Sequence, residues 1–218
     1  MKIIILIPSY NDNKYIPELI TRIMSVTKNN ILIIDDGSRI PIVYKENKIT
    51  IIRNNINMGK GASILKGLSF ASKNGYTHAI TIDSDLQHLP EKLPEFLNAD
   101  CSYDLVSGYR VFNNEMPLHR IFSNRITSYI ISKLCGLEIL DSQCGYRRYN
   151  INKILSSEYK ENGFQFESEI LLKLADDKLK ISHIEIPTIY SDEVSSINNF
   201  ADTIKFIKLI VKNIWNKL

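Results

Sequence analysis

The sequence predicts an α/β fold built on a mostly parallel, doubly wound sheet flanked by helices, and three observations carry that prediction. Over residues 1–90, short apolar, β-branched runs alternate four times with segments of helical periodicity. The runs are near-continuously apolar, as strands covered on both faces are. Three of them lead into carboxylates: Asp12, then Asp35 with Asp36, then Asp83 with Asp85. Strand ends on one edge of a parallel sheet converge, and open α/β sheets place ligands in that crevice.

Residues 2–7 read as the first strand, and Pro8-Ser9-Tyr10-Asn11-Asp12 is the turn that follows it. Ile16, Leu19, Ile20, Ile23 and Met24 then recur at helical spacing. Residues 31–34 form a second strand ending in Asp35-Asp36-Gly37-Ser38, and residues 49–52 a third ending in Arg53-Asn54-Asn55. Asn57-Met58-Gly59-Lys60-Gly61 opens a helix on which Ile64, Leu65, Leu68 and Ala71 repeat. The central strand, 78–82, follows. Beyond it the pattern is less regular. Leu105 and Val106 begin a strand ending at Gly108-Tyr109-Arg110, and residues 121–134 read as a helix with Arg120 and Arg125 near its start. Asp141 to Arg147 is a polar segment around Gly145. Residues 164–174 form a helix bearing Glu167 and Glu169, and residues 181–186 alternate as a strand before Pro187.

Composition narrows the function. With 44% hydrophobic and 23% charged residues in 218, the chain is an ordinary globular protein long enough for a full core. Lys205, Lys208, Lys212 and Lys217 against Asp202 account for the whole net charge of +3. The rest is formally neutral, which argues against a nucleic-acid-binding face. Cys101, Cys135 and Cys144 are odd in number and make no C-x-x-C pair, so a reduced chain with the cysteines as core or motif fillers is expected. The apolar N-terminus is too short to span a membrane and lacks a small-residue cleavage site, so it reads as a strand.

The chemistry concentrates in Asp83-Ser84-Asp85-Leu86-Gln87-His88. Asp-x-Asp-x-Gln offers hard oxygen ligands at close spacing, suited to Mg²⁺ or Mn²⁺ holding a diphosphate. Alone it is equally a solvated acidic turn. Gly59-Lys60-Gly61 is not a phosphate loop, since G-x-x-x-x-G-K-[ST] is absent, and G-x-G-x-x-G does not follow the first strand, which sets aside a dinucleotide dehydrogenase. His88 reads as a polar loop residue, and Arg125 and Arg148 as surface charges.

Five segments settle the reading: Ile7-Pro8-Ser9-Tyr10-Asn11, Asp35-Asp36-Gly37-Ser38, Asn57-Met58-Gly59-Lys60-Gly61, Asp83 to His88, and Asp141 to Arg147. In that order they resemble the family 2 glycosyltransferases of GT-A fold, and within them the dolichyl- or polyprenyl-phosphate sugar synthase-like branch. The resemblance covers residues 2–190. It implies a GT-A domain over 1–198, with a nucleotide-sugar-binding half (1–90) and an acceptor half (91–198), followed by an amphipathic helix over 199–218.

The resemblance further implies an inverting transfer of a hexose-type sugar, with Mg²⁺ or Mn²⁺, from a nucleotide-diphosphate-sugar donor to a polyprenyl-phosphate acceptor. Pro8, Tyr10 and Asp12 match positions flanking base and ribose, Asp36 the nucleoside, and Lys60 the donor side. Relatives usually carry Glu where Asp12 stands. Asp83, Asp85 and Gln87 match the metal and diphosphate positions. Arg110 falls in a Gly-x-Arg match. Arg120 and Ser123 match the part that holds an acceptor phosphate, and Arg147 falls in a Gly-aromatic-Arg match. Asp85, Arg110 and Arg120 are the catalytic candidates. An acceptor phosphate is already an anionic nucleophile, so it needs cations to hold it in line more than it needs a base, and arginine forks suit its oxygens.

Two rivals stay open. Transfer to a hydroxyl of a cell-surface glycan needs a carboxylate base. Glu167 and Glu169 cannot share a helix face, and Glu169 is the better match. A nucleotide-sugar-binding protein without activity is the alternative from another class, against which the intact Asp83, Asp85 and Gln87 speak.

Phe200, Ile204, Ile207, Val211, Ile214, Trp215 and Leu218 form one helical stripe flanked by lysines. Such a stripe suits an interfacial anchor or a helix packed on the domain, and the lysine excess favours the membrane. The expected location is cytoplasmic, peripheral on the inner face of the cytoplasmic membrane, with any flipping or anchoring partner a separate membrane protein. Residues 189–197 are the expected acceptor loop.

Overall fold

A computed structural model describes residues 1–111, 118–175, 178–187, 189 and 199–215. Seven strands form one sheet: β1 (Ile3–Ser9), β2 (Asn30–Asp35), β3 (Ile49–Arg53), β4 (His78–Thr81), β5 (Leu105–Arg110), β6 (Arg147–Asn150) and β7 (Ile181–Ile186). Their order is β3-β2-β1-β4-β6-β5-β7. Every pairing is parallel except the two made by β6, which runs antiparallel to both β4 and β5.

The helices are α1 (Ile16–Val26), α2 (Lys60–Lys73), α3 (Leu93–Asn98), α4 (Leu118–Cys135), α5 (Ile151–Leu155), α6 (Phe166–Ala175) and α7 (Asn199–Trp215). The sequence expectation omits β6, α3 and α5, and the polar segment ending at Arg147 is in fact the entry to a strand.

Alternation along β1 divides the apolar residues between two cores. Ile4 and Leu6 join Leu32 and Ile34 against α2 and α6, while Ile3, Ile5 and Ile7 join Ile31 and Ile33 against α1 and α3. Burying each such side chain contributes about 1.5–3 kcal/mol, so the central strands fix the register that aims the strand ends.

Two arginines in β6 are fully buried, and neither behaves as a solvated charge. Arg147 donates to the carbonyls of Ser142 (2.8 Å), Cys144 (2.7 Å) and Glu167 (2.8 Å). Arg148, expected on the surface, points to the other face of the sheet and donates to the carbonyls of Phe96, Ala99 and Asp100. There it satisfies carbonyls at the end of α3 that the helix leaves open.

In α7, Phe206 and Leu209 pack into the core, while Ile204, Ile207, Val211 and Trp215 are exposed on another face. The stripe expected from the sequence therefore points outward at those four positions, and a second apolar face attaches the helix. Phe200, Ile214 and Leu218 lie outside the described side chains, as do most of residues 189–197. No described helix is long and apolar enough to cross a membrane.

Candidate active site

The site is a crevice at the carboxyl ends of β1, β4 and β5. Chain reversals there are tight, and two non-glycine residues take left-handed backbone, Asn11 and Leu86, each at φ 63°. Leu86 lies between Asp85 and Gln87, and the turn lets the Gln87 N–H donate to Asp85 Oδ1 at 3.0 Å. A branched residue there is uncommon and marks a turn held for its geometry. Asn11 bridges to the β2 end, its N–H donating to Ser38 Oγ and its Oδ1 accepting from Arg39 N.

Asp12 and the Asp83 segment are joined by Ser84, whose Oγ donates to Asp12 Oδ2 at 2.5 Å. Pro8 is buried in β1 beside them and Tyr10 is exposed at its end. The two carboxylates closing β2 diverge. Asp35 is fully buried and accepts from Ser38 N, Ile42 N and the Arg53 guanidinium. Asp36 is nearly buried and accepts from Asn54 Nδ2 (2.7 Å), Met58 N (2.9 Å) and Gly59 N (2.8 Å). In this way it holds the loop leading into α2.

Lys60, the first residue of α2, reaches into the crevice. Its Nζ lies 2.7 Å from Asp83 Oδ1 and 3.2 Å from Glu167 Oε1. These are ion-pair distances out of hydrogen-bond alignment, and Asp83 Oδ1 and both Glu167 oxygens have no hydrogen-bond partner among the described residues. Burial works against the Lys60 ammonium, but the two carboxylates outweigh it and raise its pKa. Burial likewise penalises the Asp83 carboxylate, and Lys60 more than reverses this, drawing its pKa down. Asp85 goes the other way, raised by burial and by neighbouring Asp83. Gly145 forms the floor: a Cβ there would lie 2.6 Å from Lys60 Nζ and 3.0 Å from Asp83 Oδ1.

The α2 N-terminus is not open to a phosphate through Gly61 or Ala62, since both N–H groups donate to the Asn162 carbonyl. His88, read from sequence as a bland loop residue, is in the site. It is buried, stacks on Tyr146 with ring centroids 5.2 Å apart, and its Nδ1 accepts from Asp83 N. Burial lowers its pKa, which favours the neutral ring.

Arg110 closes β5 and forms a two-pronged pair with Asp141, Nε to Oδ2 at 2.7 Å and Nη2 to Oδ1 at 3.1 Å. Asn124 of α4 donates to the same carboxylate at 2.9 Å. Burial opposes the Asp141 charge, yet Arg110 and Asn124 hold its pKa below the ordinary value. A Cβ at Gly145 would touch Asp83, and one at Gly108, two residues before Arg110, would touch Cys144 and Tyr146 on either side of Gly145, so the arginine and the acidic turn border one segment. Asp141 and Asn124 were not singled out by residue type. The segment Asp141 to Arg147 is the sequence signal for Asp141, and Asn124 has none.

Ser123 is exposed on α4, and Arg120 falls in the first turn of that helix with its side chain outside the described residues. Arg147 is not available to an acceptor phosphate, being fully buried and spent on three carbonyls. Nor is Glu169 poised as a base: its carboxylate accepts from Lys160 N and Glu161 N. Of the two glutamates, Glu167 is the one at the crevice.

Comparisons with known proteins give the family and the fold. The family model described as Glycosyl transferase family 2 matches residues 4–156. A UDP-N-acetylglucosamine–dolichyl-phosphate N-acetylglucosaminyltransferase of Methanococcus voltae is 30% identical, covering 87% of this chain and 86% of that protein. A polyprenol monophosphomannose synthase of Mycolicibacterium smegmatis is 23% identical over 91% of this chain and 80% of its own length. Among solved structures, glucosyl-3-phosphoglycerate synthase from Mycobacterium tuberculosis with Mn²⁺ and UDP-glucose superposes with a TM-score of 0.74 at 15% identity, over 97% of this chain and 78% of that one. The chain belongs to glycosyl transferase family 2 and is a glycosyltransferase of GT-A fold.

Proposed function

We propose that this glycosyltransferase is inverting and divalent-metal-dependent, and moves a hexose-type sugar from a nucleotide diphosphate to polyprenyl phosphate at the inner face of the cytoplasmic membrane. The observation that carries this reading is the meeting of two arrangements in one crevice: the Asp83–Asp85 turn at the end of β4, and the Arg110 fork fixed by Asp141 at the end of β5. One suits a cation bridging a diphosphate, the other a phosphate acceptor.

The donor set fits Mg²⁺ or Mn²⁺. Asp83, Asp85 and Gln87 offer hard oxygens, and Asp83 Oδ1 is buried without an aligned donor. Among the described residues no group of three His, Cys, Asp or Glu could hold an ion by itself. Ions of this kind are commonly held by one or two carboxylates and completed by substrate phosphates. When bound, such an ion supplies charge stabilisation to the departing diphosphate.

The chain's own residues supply the rest. Pro8, Tyr10 and Asp12 flank the nucleoside, with Asp36 shaping the adjoining loop. Arg110, with Arg120 and Ser123, holds the acceptor phosphate so that one of its oxygens attacks the anomeric carbon as the bond to the diphosphate breaks. No general base is required. The engagement of Glu169 by two backbone N–H groups favours this over a hydroxyl acceptor. The exposed face of α7, with Trp215 and neighbouring Lys205 and Lys208, suits an anionic lipid surface. The relatives named for dolichyl phosphate and polyprenol support the acceptor class.

The test is a single-turnover assay with UDP-glucose, GDP-mannose and related donors, Mn²⁺ or Mg²⁺, and a short polyprenyl phosphate. Labelled sugar should enter the organic phase and vanish with EDTA or in Asp85→Ala. Donor binding without lipid product from any pair would overturn the acceptor assignment.

A further inference from the structure

We propose that Glu167 is a positioning residue, the alternate seat of the Lys60 ammonium, so that Lys60 and a divalent cation exchange at Asp83. The inference rests on the reading of Asp83 as a ligand to that ion.

Lys60 Nζ already spans both carboxylates, 2.7 Å from Asp83 Oδ1 and 3.2 Å from Glu167 Oε1. Glu167 is 1% exposed, and neither of its oxygens has a hydrogen-bond partner among the described residues. A buried carboxylate is costly unless a charge compensates it. The contact Glu167 makes with Arg147 uses its backbone carbonyl, so the carboxylate has no part in it. What the side chain offers this site is a second place for a cation.

That place has a use. An ion on Asp83 Oδ1 and an ammonium 2.7 Å from the same oxygen are like charges in a largely buried crevice, where repulsion is weakly screened. Either the ion is refused or Lys60 withdraws. The flexible stem of lysine allows its head to withdraw onto Glu167 without losing a counter-charge. The missing side chain at Gly145 leaves room for the ammonium beside Asp83, since a Cβ there would lie 2.6 Å from Lys60 Nζ. Lys60 thereby screens Asp83 until the donor phosphates help recruit the ion, and Glu167 makes the exchange reversible.

The full chain is titrated with Mn²⁺, following the free aqua ion by electron paramagnetic resonance, with and without UDP as the diphosphate probe. Lys60→Met should bind Mn²⁺ without UDP about tenfold more tightly, and Glu167→Gln about tenfold more weakly, the size expected for coupled neighbours. The double variant should match Lys60→Met, because with the ammonium gone Glu167 has nothing to seat. An effect of Glu167→Gln that persists in the double variant, or none in the single one, overturns the proposal. Should Lys60→Met not fold, Lys60→Gln takes its place with the same expected direction. Asp83→Asn separates the two readings: unchanged Mn²⁺ binding there removes Asp83 as a ligand. Weakened binding there with Glu167→Gln at wild-type affinity removes only the exchange.

Discussion

Arg110 grips both oxygens of Asp141 at 2.7 and 3.1 Å, and the pair joins the end of β5 to the segment after α4. Asp141 is fully buried and Arg110 about a quarter exposed, so the carboxylate fixes the fork of a side chain that still reaches the surface. Asp141→Asn keeps the shape and removes the counter-charge. Breaking a buried pair costs about 3–5 kcal/mol, and partial exposure of Arg110 puts this one towards the lower end. Urea unfolding should show the loss, and KM for the acceptor should rise while donor binding is retained.

The same pair gives stability a sign with pH. The folded-state pKa of Asp141 lies below its unfolded value of about 3.9, so its contribution is complete above that pH and is lost as pH falls through the folded pKa. His78 and His183 add an earlier decline. Burial depresses both, so the unfolded chain takes up protons below about pH 6.5 where the folded one does not. The urea midpoint should therefore fall from about pH 6.5 downward and more steeply below about pH 4. His183→Gln should flatten the first part and Asp141→Asn the second.

Gly145→Ala tests the floor of the crevice. The added Cβ would meet Lys60 Nζ at 2.6 Å and Asp83 oxygens at 3.0 and 3.1 Å, displacing charged groups. Misplacement on this scale costs up to about a hundredfold in turnover. The expected result is a fall in kcat with an unchanged circular dichroism spectrum.

The two faces of α7 should separate binding from stability. Trp215→Ser with Ile207→Glu changes residues that are 78% and 54% exposed, so the melting temperature should hold. Co-sedimentation with vesicles containing anionic lipid should fall. Leu209→Ala, at a position only 6% exposed, should instead destabilise by about 2–3 kcal/mol, at the low end for core leucines.

How much of this was legible in the sequence follows from how each residue meets its neighbours. β1 and β2 announce themselves because parallel strands covered on both faces are near-continuously apolar. β6 does not, because Arg147-Arg148-Tyr149-Asn150 has the composition of a surface. Its arginines are buried only because carbonyls at Ser142, Cys144 and the end of α3 await them, and periodicity carries no trace of a distant acceptor. The acids of the crevice were legible as a set, whereas the work of each was not. Asp35 and Asp36 are adjacent in sequence, yet one closes on Arg53 and the other on the loop into α2. Likewise helical spacing says that Glu167 and Glu169 face apart, but only packing around Phe166 decides which meets Lys60.

The carbonyl of Asn162 accepts from Gly61 and Ala62, so a residue far along the chain finishes the first turn of α2. A side chain at Gly59 would collide with that carbonyl, and one at Gly61 would meet Phe166 Cβ at 2.6 Å. The amino-terminal stretch alone therefore leaves the Gly61 and Ala62 N–H groups without this acceptor. Until residues 161–166 have been made and docked, the helix carrying Lys60 lacks its cap and its mate, and the nucleotide side of the crevice stays unfinished. The nucleotide side of the crevice is thus finished by a segment about a hundred residues further along the chain.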